Sequence, residues 1–195
     1  MTTATIPRAD PTTVAAPTER GATVWMTGLP SAGKSSVAEG LADRLRADGH
    51  RVEVLDGNVV REFLSRGLGF SRTDRDANIL RIGFVADLLA RNGVKAICAS
   101  IAPYDEIRRQ VRAMHDTSGT AFLQVYVATP VDVCSERDVR GLYAAQRAGE
   151  LTGLTGVDDP YEVPADSEVV LPTEAQTLAE SVAAVHAALV ERGLA

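Results

Sequence analysis

The stretch Gly28-Leu29-Pro30-Ser31-Ala32-Gly33-Lys34-Ser35 constrains this chain more than any other. Its spacing, G-x-x-x-x-G-K-S, is the P-loop pattern that cradles the phosphates of a nucleoside triphosphate. The glycines let the backbone curl so that successive N–H groups point inward at a phosphate chain, and the following helix adds the positive end of its dipole. Gly28, Ser31, Ala32, Gly33, Lys34, Ser35 and Ser36 are the expected ATP contacts. Lys34 is expected to reach the β- and γ-phosphates, and the Ser35 hydroxyl to hold Mg²⁺. A glycine-rich turn without a ligand is the alternative, and context weighs against it. Residues 22–27 read as a short buried strand; from Lys34 to about Asp48 the spacing puts Val37, Leu41 and Leu45 on one helical face. Strand, glycine loop and helix is the setting the motif requires.

At 195 residues the chain suffices for one domain with a single core. A hydrophobic content of 45% describes an ordinary soluble protein. It has no apolar run long enough to span a membrane and no apolar N-terminal core of a signal peptide. A cytoplasmic location is expected. Residues 1–20, rich in Thr, Ala and Pro, read as a mobile tail or as an expression or processing remnant, and residues 21–195 as the folded domain. The net charge of −6 argues against a nucleic-acid partner. It leaves room for a small anionic ligand, which needs only local positive charge. Cys98 and Cys134 sit in apolar patterns and read as buried, reduced thiols. His50, His115 and His186 share no metal-ligand spacing.

Strand and helix patterns alternate along the chain. Strands are expected over 51–55, 94–99, 121–127 and 169–171, and helices around 59–64 and over 74–91, 104–115, 131–137 and 177–192. Gly93 would close the long helix. The stretch from Asp138 to Pro160 breaks the alternation, being rich in Gly and charge with little apolar periodicity. Apolar strands alternating with helices imply a parallel sheet covered on both faces, a three-layer α/β/α domain of P-loop type.

Such sheets bind ligands at the carboxyl ends of their strands. That rule gathers the P-loop, Asp56, the stretch from Ser100 to Pro103, and the region of Arg137 into one crevice. Phosphoryl transfer needs positioning, charge neutralisation and an acceptor for the proton of the attacking hydroxyl. Asp56 ends the only strand of this half that closes in a carboxylate, and is the candidate acceptor; capping the next helix is a second role, not exclusive of the first. Arg61, Arg75 and Arg81 follow, and arginines here suggest an anionic acceptor, although a solvated helix face is the better reading of Arg81. Among Arg137, Arg140 and Arg147, one would stabilise charge on the transferring group and another would stack on a base.

These residues carry a resemblance. The chain resembles the adenylylsulfate kinases from about Thr23 onward, in order and with few gaps. The shared marks include the P-loop, Leu55-Asp56-Gly57 with Arg61, Leu68-Gly69-Phe70-Ser71 with Asp74, Arg75 and Asn78, and Ile101-Ala102-Pro103-Tyr104 with Arg108. Cys134 with Arg137-Asp138, Gly141-Leu142-Tyr143, residues 147–150 and residues 155–162 complete the series. The resemblance implies transfer of the γ-phosphate of ATP to the 3′-hydroxyl of adenosine 5′-phosphosulfate, with Mg²⁺, in sulfate assimilation. It implies that Asp56 takes the 3′-hydroxyl proton or helps hold the metal, and that Arg61, Arg75 and Asn78 grip the phosphosulfate and ribose. Phe70 would pack on the acceptor adenine with Ile101 and Ala102 nearby, Arg137 would lie against the ATP adenine, and residues 138–160 would close as a mobile lid. A homodimer and an association with an ATP sulfurylase are the implied partners.

The departures from the family pattern carry their own expectations. Asn58 stands where the family has Asp, Ala102 replaces a serine phosphorylated in some members, Arg140 replaces a lid lysine, and Leu154 stands where an aromatic sandwiches the acceptor adenine. Val59 also occurs in a bacterial branch often fused to ATP sulfurylase. Two alternatives follow: a kinase for another anionic, nucleotide-like acceptor, and a non-catalytic nucleotide-binding subunit that regulates a sulfurylase.

Overall fold

Strand β1 (Ala22–Thr27) is buried over its whole length, because it runs through the middle of the sheet with a helical layer on each face. It pairs in parallel with β3 (Lys95–Ala99) on one side and β4 (Ala121–Val127) on the other. β2 (Val52–Asp56) extends the sheet beyond β3, and β5 (Val169–Leu171) beyond β4, giving the order β2-β3-β1-β4-β5. This computed structural model describes residues 19–195. The tail expected over residues 1–20 lies outside the described residues as far as residue 18. At its end the Glu19 carboxylate meets His50 and the buried Lys95, whose ammonium also donates to the Arg20 carbonyl.

Side chains alternate across parallel strands, so each strand feeds two cores. On one face, α1 (Lys34–Ala47) and α7 (Leu178–Val190) bury Val37, Leu41, Leu45, Val185 and Leu189 against Val24, Met26 and Ile97. On the other, α3 (Arg72–Arg91) and α4 (Asp105–Ser118) bury Ile79, Ile82, Ile107 and Val111 against Trp25, Ala96 and Cys98. Cys98 and Cys134 are buried free thiols.

Element ends follow local capping chemistry. α3 begins at Arg72, two residues before the expected start, because the Ser71 hydroxyl accepts from the Asp74 N–H at 3.2 Å and donates to its carboxylate at 2.8 Å. Gly93, with φ 77°, follows the last residue of the C-terminal cap. Thr177 and Glu180 form a reciprocal capping box at the start of α7.

The stretch 138–160 differs most from its reading. It holds α6 (Leu142–Arg147), a short helix like α2 (Gly57–Phe63) and α5 (Val131–Arg137). Six residues are too few for a periodic signal, and what nucleates α6 is Asp138, whose carboxylate accepts from the N–H groups of Tyr143 and Ala144 at 3.1 and 2.9 Å. The Tyr143 hydroxyl then donates to the Pro30 carbonyl of the P-loop at 3.1 Å, seating the helix on it.

Candidate active site

Residues that follow β1, β2, β3 and β5 open into one cleft of about 960 Å³, with Arg137 reaching it from α5. Ser31, Ala32, Gly33, Lys34, Ser35 and Ser36 form one wall. Arg61, Phe70, Arg75 and Asn78 form the wall opposite, with Ile101 and Ala102 from the end of β3 between them. Arg137, Arg140 and Leu154 close the remaining sides. Two expected residues sit outside the wall itself. Gly28 faces β4, where a Cβ would lie 2.6 Å from the Val127 carbonyl oxygen, so close backbone packing demands the glycine. Asp56 stands just behind the wall and reaches the cleft through Ser35.

The loop is wound for phosphate. Ser31 and Gly33 have φ of 61° and 106°, a succession of left-handed turns that leads into the N-terminus of α1. The Lys34 ammonium donates to the carbonyls of Gly28 and Leu29 at 3.0 and 2.7 Å. Burial lowers its pKa to about 8 against the opposing pull of Cys134 and Asp56. A buried ammonium with only carbonyl partners is a ready receptor for phosphate oxygens.

Asp56 caps the next helix as expected and also meets the loop hydroxyl. One carboxylate oxygen caps α2 by accepting from the Asn58 N–H at 2.8 Å, and the other accepts from the Ser35 hydroxyl at 2.6 Å. Hydroxyl and carboxylate side by side at the phosphate end of the loop are hard oxygen donors, the chemistry that Mg²⁺ accepts in company with phosphates and water. Among the described residues no group of three His, Cys, Asp or Glu forms an all-protein cation cage.

The opposite wall is cationic. The Arg61 guanidinium stacks 4.4 Å from the Phe70 ring centroid, and that of Arg75 lies 5.9 Å from it. Burial and the like charge of Arg75 both lower the pKa of Arg61, so an anion placed between the two would relieve the crowding. Arg75 also ties down the 138–160 stretch, donating to Thr155 Oγ1 at 2.7 Å and the Gly153 carbonyl at 2.6 Å on either side of the buried Leu154. On the other rim Arg140 donates to Asn58 Oδ1, so two of the family departures meet each other. Arg81 donates to the Leu64 carbonyl from an exposed helix face, as expected for a solvated position. Arg147 does not enter the cleft: it donates to Ser135 Oγ at 2.6 Å.

Several supporting residues were given no role by the sequence reading, Arg108 and Tyr161 standing there only as shared marks. Thr173 Oγ1 and Thr129 Oγ1 both donate to the Ala32 carbonyl, at 2.9 and 2.8 Å. Arg137 is held in the same knot by the Thr173 carbonyl at 2.8 Å. Thr27 Oγ1 donates to the Ile101 carbonyl at 2.6 Å and touches the Tyr161 hydroxyl at 2.9 Å. The buried Arg108 donates to the carbonyls of Ala102 and Glu162, both at 2.7 Å, and so holds Ala102 at its φ of 45°. The available signal was position: Thr27, Thr129 and Thr173 each end a strand or follow it within two residues.

A parallel sheet, a phosphate loop with its lysine and hydroxyl, a strand-end carboxylate and a cationic wall across the cleft define a P-loop kinase. The family model "Adenylylsulphate kinase" matches residues 20–172. The chain belongs to the adenylylsulfate kinase family. It is 51% identical over 175 residues to the adenylyl-sulfate kinase of Microcystis aeruginosa, covering 90% of this chain and 94% of that one. The APS kinase CysC of Mycobacterium tuberculosis, solved in complex with AMPPNP and APS, superposes with a TM-score of 0.85 at 40% identity over 88% of this chain and 98% of that one. A hexameric APS kinase from Thiobacillus denitrificans matches at a TM-score of 0.69 and 37% identity, over 90% of this chain and 30% of its own.

Proposed function

We propose that this chain transfers the γ-phosphate of ATP to the 3′-hydroxyl of adenosine 5′-phosphosulfate, releasing 3′-phosphoadenylylsulfate and ADP. The observation that carries the reading is the pairing of Arg61 and Arg75 around Phe70, across one cleft from Lys34, Ser35 and Asp56. One wall suits a triphosphate, and the other suits an anion attached to a flat base. Similarity to a structure holding both AMPPNP and APS supports the same division.

In this reading the P-loop amides and Lys34 hold the triphosphate, and Arg137 lies against its adenine. Ser35 and Asp56 would hold the Mg²⁺ that travels with ATP, which would supply neutralisation of phosphate charge. Arg61, Arg75 and Asn78 orient the acceptor, with its adenine on the face of Phe70 that Arg61 leaves free and Leu154, Ile101 and Ala102 around it. The 3′-oxygen forms the new bond to the γ-phosphorus, the bond to the β–γ bridging oxygen breaks, and the 3′-proton passes to Asp56. Ala102 has no hydroxyl, so transfer is direct, without a phosphoserine at that position.

The kinase unit is residues 21–195 with 138–160 as its lid. It works in the cytoplasm for sulfate assimilation, as a homodimer that associates with a sulfurylase, on the branch related to sulfurylase fusions. Among the described residues no helix is long and apolar enough to cross a membrane. The test is a coupled assay of ADP release with adenosine 5′-phosphosulfate as sole acceptor, followed by a panel of other nucleotides. ADP release strictly dependent on the sulfated nucleotide is expected. No turnover from a folded preparation, or faster turnover with another nucleotide, would overturn the assignment.

A further inference from the structure

Among the described residues, six buried side-chain polar atoms lack a hydrogen-bond partner, and two of these belong to residues lining the cleft: Ser100 Oγ and Asn78 Oδ1. Both residues are more than nine-tenths buried, at 5% and 6% exposed. An unpaired buried hydroxyl or amide oxygen is costly, and a native structure keeps it where something outside the chain pairs with it. Asn78 already has a place in the acceptor reading. Ser100 has none, and a resident role in the fold is absent, since its hydroxyl holds no backbone group and caps no helix.

Its position says what it meets. Ser100 follows β3 directly, with its N–H on the Met26 carbonyl at 3.2 Å, one residue beyond the Ala99 that pairs with Asp56. Alternation along β3 sends Ala96 and Cys98 to the layer of α3, and Ser100 continues that face, the one carrying Asn78. Gly57 packs beside it, where a Cβ would lie 3.6 Å from the Ser100 Cβ. Ser100 therefore lines the cleft on the α3 side, one residue beyond the strand pair that carries the proposed base.

We infer that Ser100 is a specificity-determining contact for the acceptor's ribose, pairing with the 2′-hydroxyl while the neighbouring 3′-hydroxyl faces Asp56. A vicinal diol offers two adjacent hydroxyls, and a serine, able to donate and to accept, suits the one that does not react. The inference rests on the kinase reading above.

The experiment is a cycle of Ser100→Ala against the acceptor and its 2′-deoxy analogue, read as kcat/KM together with the thermal midpoint. With the natural acceptor the variant is expected to lose about three- to tenfold, the worth of one neutral hydrogen bond. With the 2′-deoxy analogue wild type and variant are expected to be equal, and the variant's midpoint to stay level or rise because an orphan hydroxyl has gone. Equal losses on both acceptors, no loss on either, or a midpoint lowered by several degrees would overturn the inference while leaving the kinase reading intact. Wild type that turns over neither acceptor would overturn both.

Discussion

Lys34 carries the clearest electrostatic consequence in the site. Its pKa stands at about 8 because burial outweighs the pull of Cys134 and Asp56. Bound phosphates stabilise the charged form and raise that value, so binding above pH 8 must take up a proton. ATP affinity is therefore expected to fall as pH rises through 8, by up to about tenfold per unit. Calorimetric titrations between pH 7 and 9.5 check this, and a flat profile would contradict the assigned contact. For folding the sign is reversed: the unfolded lysine titrates near 10.5, so between 8 and 10.5 the unfolded chain binds more protons and this residue's contribution to stability rises with pH. Asp56 offers a cleaner separation of roles. Asn caps a helix about as well as Asp, so Asp56→Asn should keep the start of α2 and the thermal midpoint. Turnover should fall by about 10²–10⁴ with loss of the carboxylate that accepts the proton and helps hold Mg²⁺, while ATP binding measured without Mg²⁺ should change only a few-fold. Turnover preserved within threefold would move the base elsewhere.

At the scale of elements, the 138–160 stretch is held by several attachments, three of which reach the cleft walls. Arg75 clasps Gly153 and Thr155, Arg140 reaches Asn58, and Tyr143 sits on Pro30. Arg75→Ala removes both a lid clasp and a charge from the acceptor wall. The acceptor KM should rise by about 10²-fold, the worth of one to two charged hydrogen bonds, with the KM for ATP little changed. Limited proteolysis between residues 149 and 160 should quicken in the same variant. If both KM values rise together, Arg75 supports the whole cleft and not one wall. Leu154 tests the base contact: Leu154→Phe supplies the flat face an adenine favours and should tighten acceptor binding. Leu154 is also buried against the core, so the larger ring should lower stability by about 1–3 kcal/mol. Lower stability with unchanged acceptor affinity would remove Leu154 from the acceptor site.

At the scale of the molecule, the cleft is roofed by residues from the P-loop, α2, α3, the end of β3, the lid and the turn after β5. Ligands that bridge these pieces bind the folded chain alone. ATP and acceptor together, each at a hundred times its Kd, should each add about 2.7 kcal/mol of stability. For a domain of this size a single ligand then raises the midpoint by roughly 5–10 °C. Differential scanning fluorimetry with each ligand and with both would show it. A midpoint indifferent to either ligand would mean that one of the two walls is not a binding surface.

How much of this was legible in the residues follows from the range of each interaction. Hydrophobic spacing and the P-loop pattern are local, so the five strands, the long helices and the phosphate loop could be read from neighbours in the chain. The strand-end rule carried Asp56 and the stretch from Ser100 to Pro103 into one crevice, because parallel strands all open at the same edge. The sequence by itself thus determined the class of the fold and the triphosphate end of the cleft. Tertiary structure alone decided which carbonyl each cation and hydroxyl would meet. Arg147 turned away to Ser135, Thr173 and Thr129 converged on Ala32, Arg75 found the lid, and Ser100 found nothing. Backbone carbonyls carry no residue-specific mark, and only the packing of distant turns brings one within reach of a side chain.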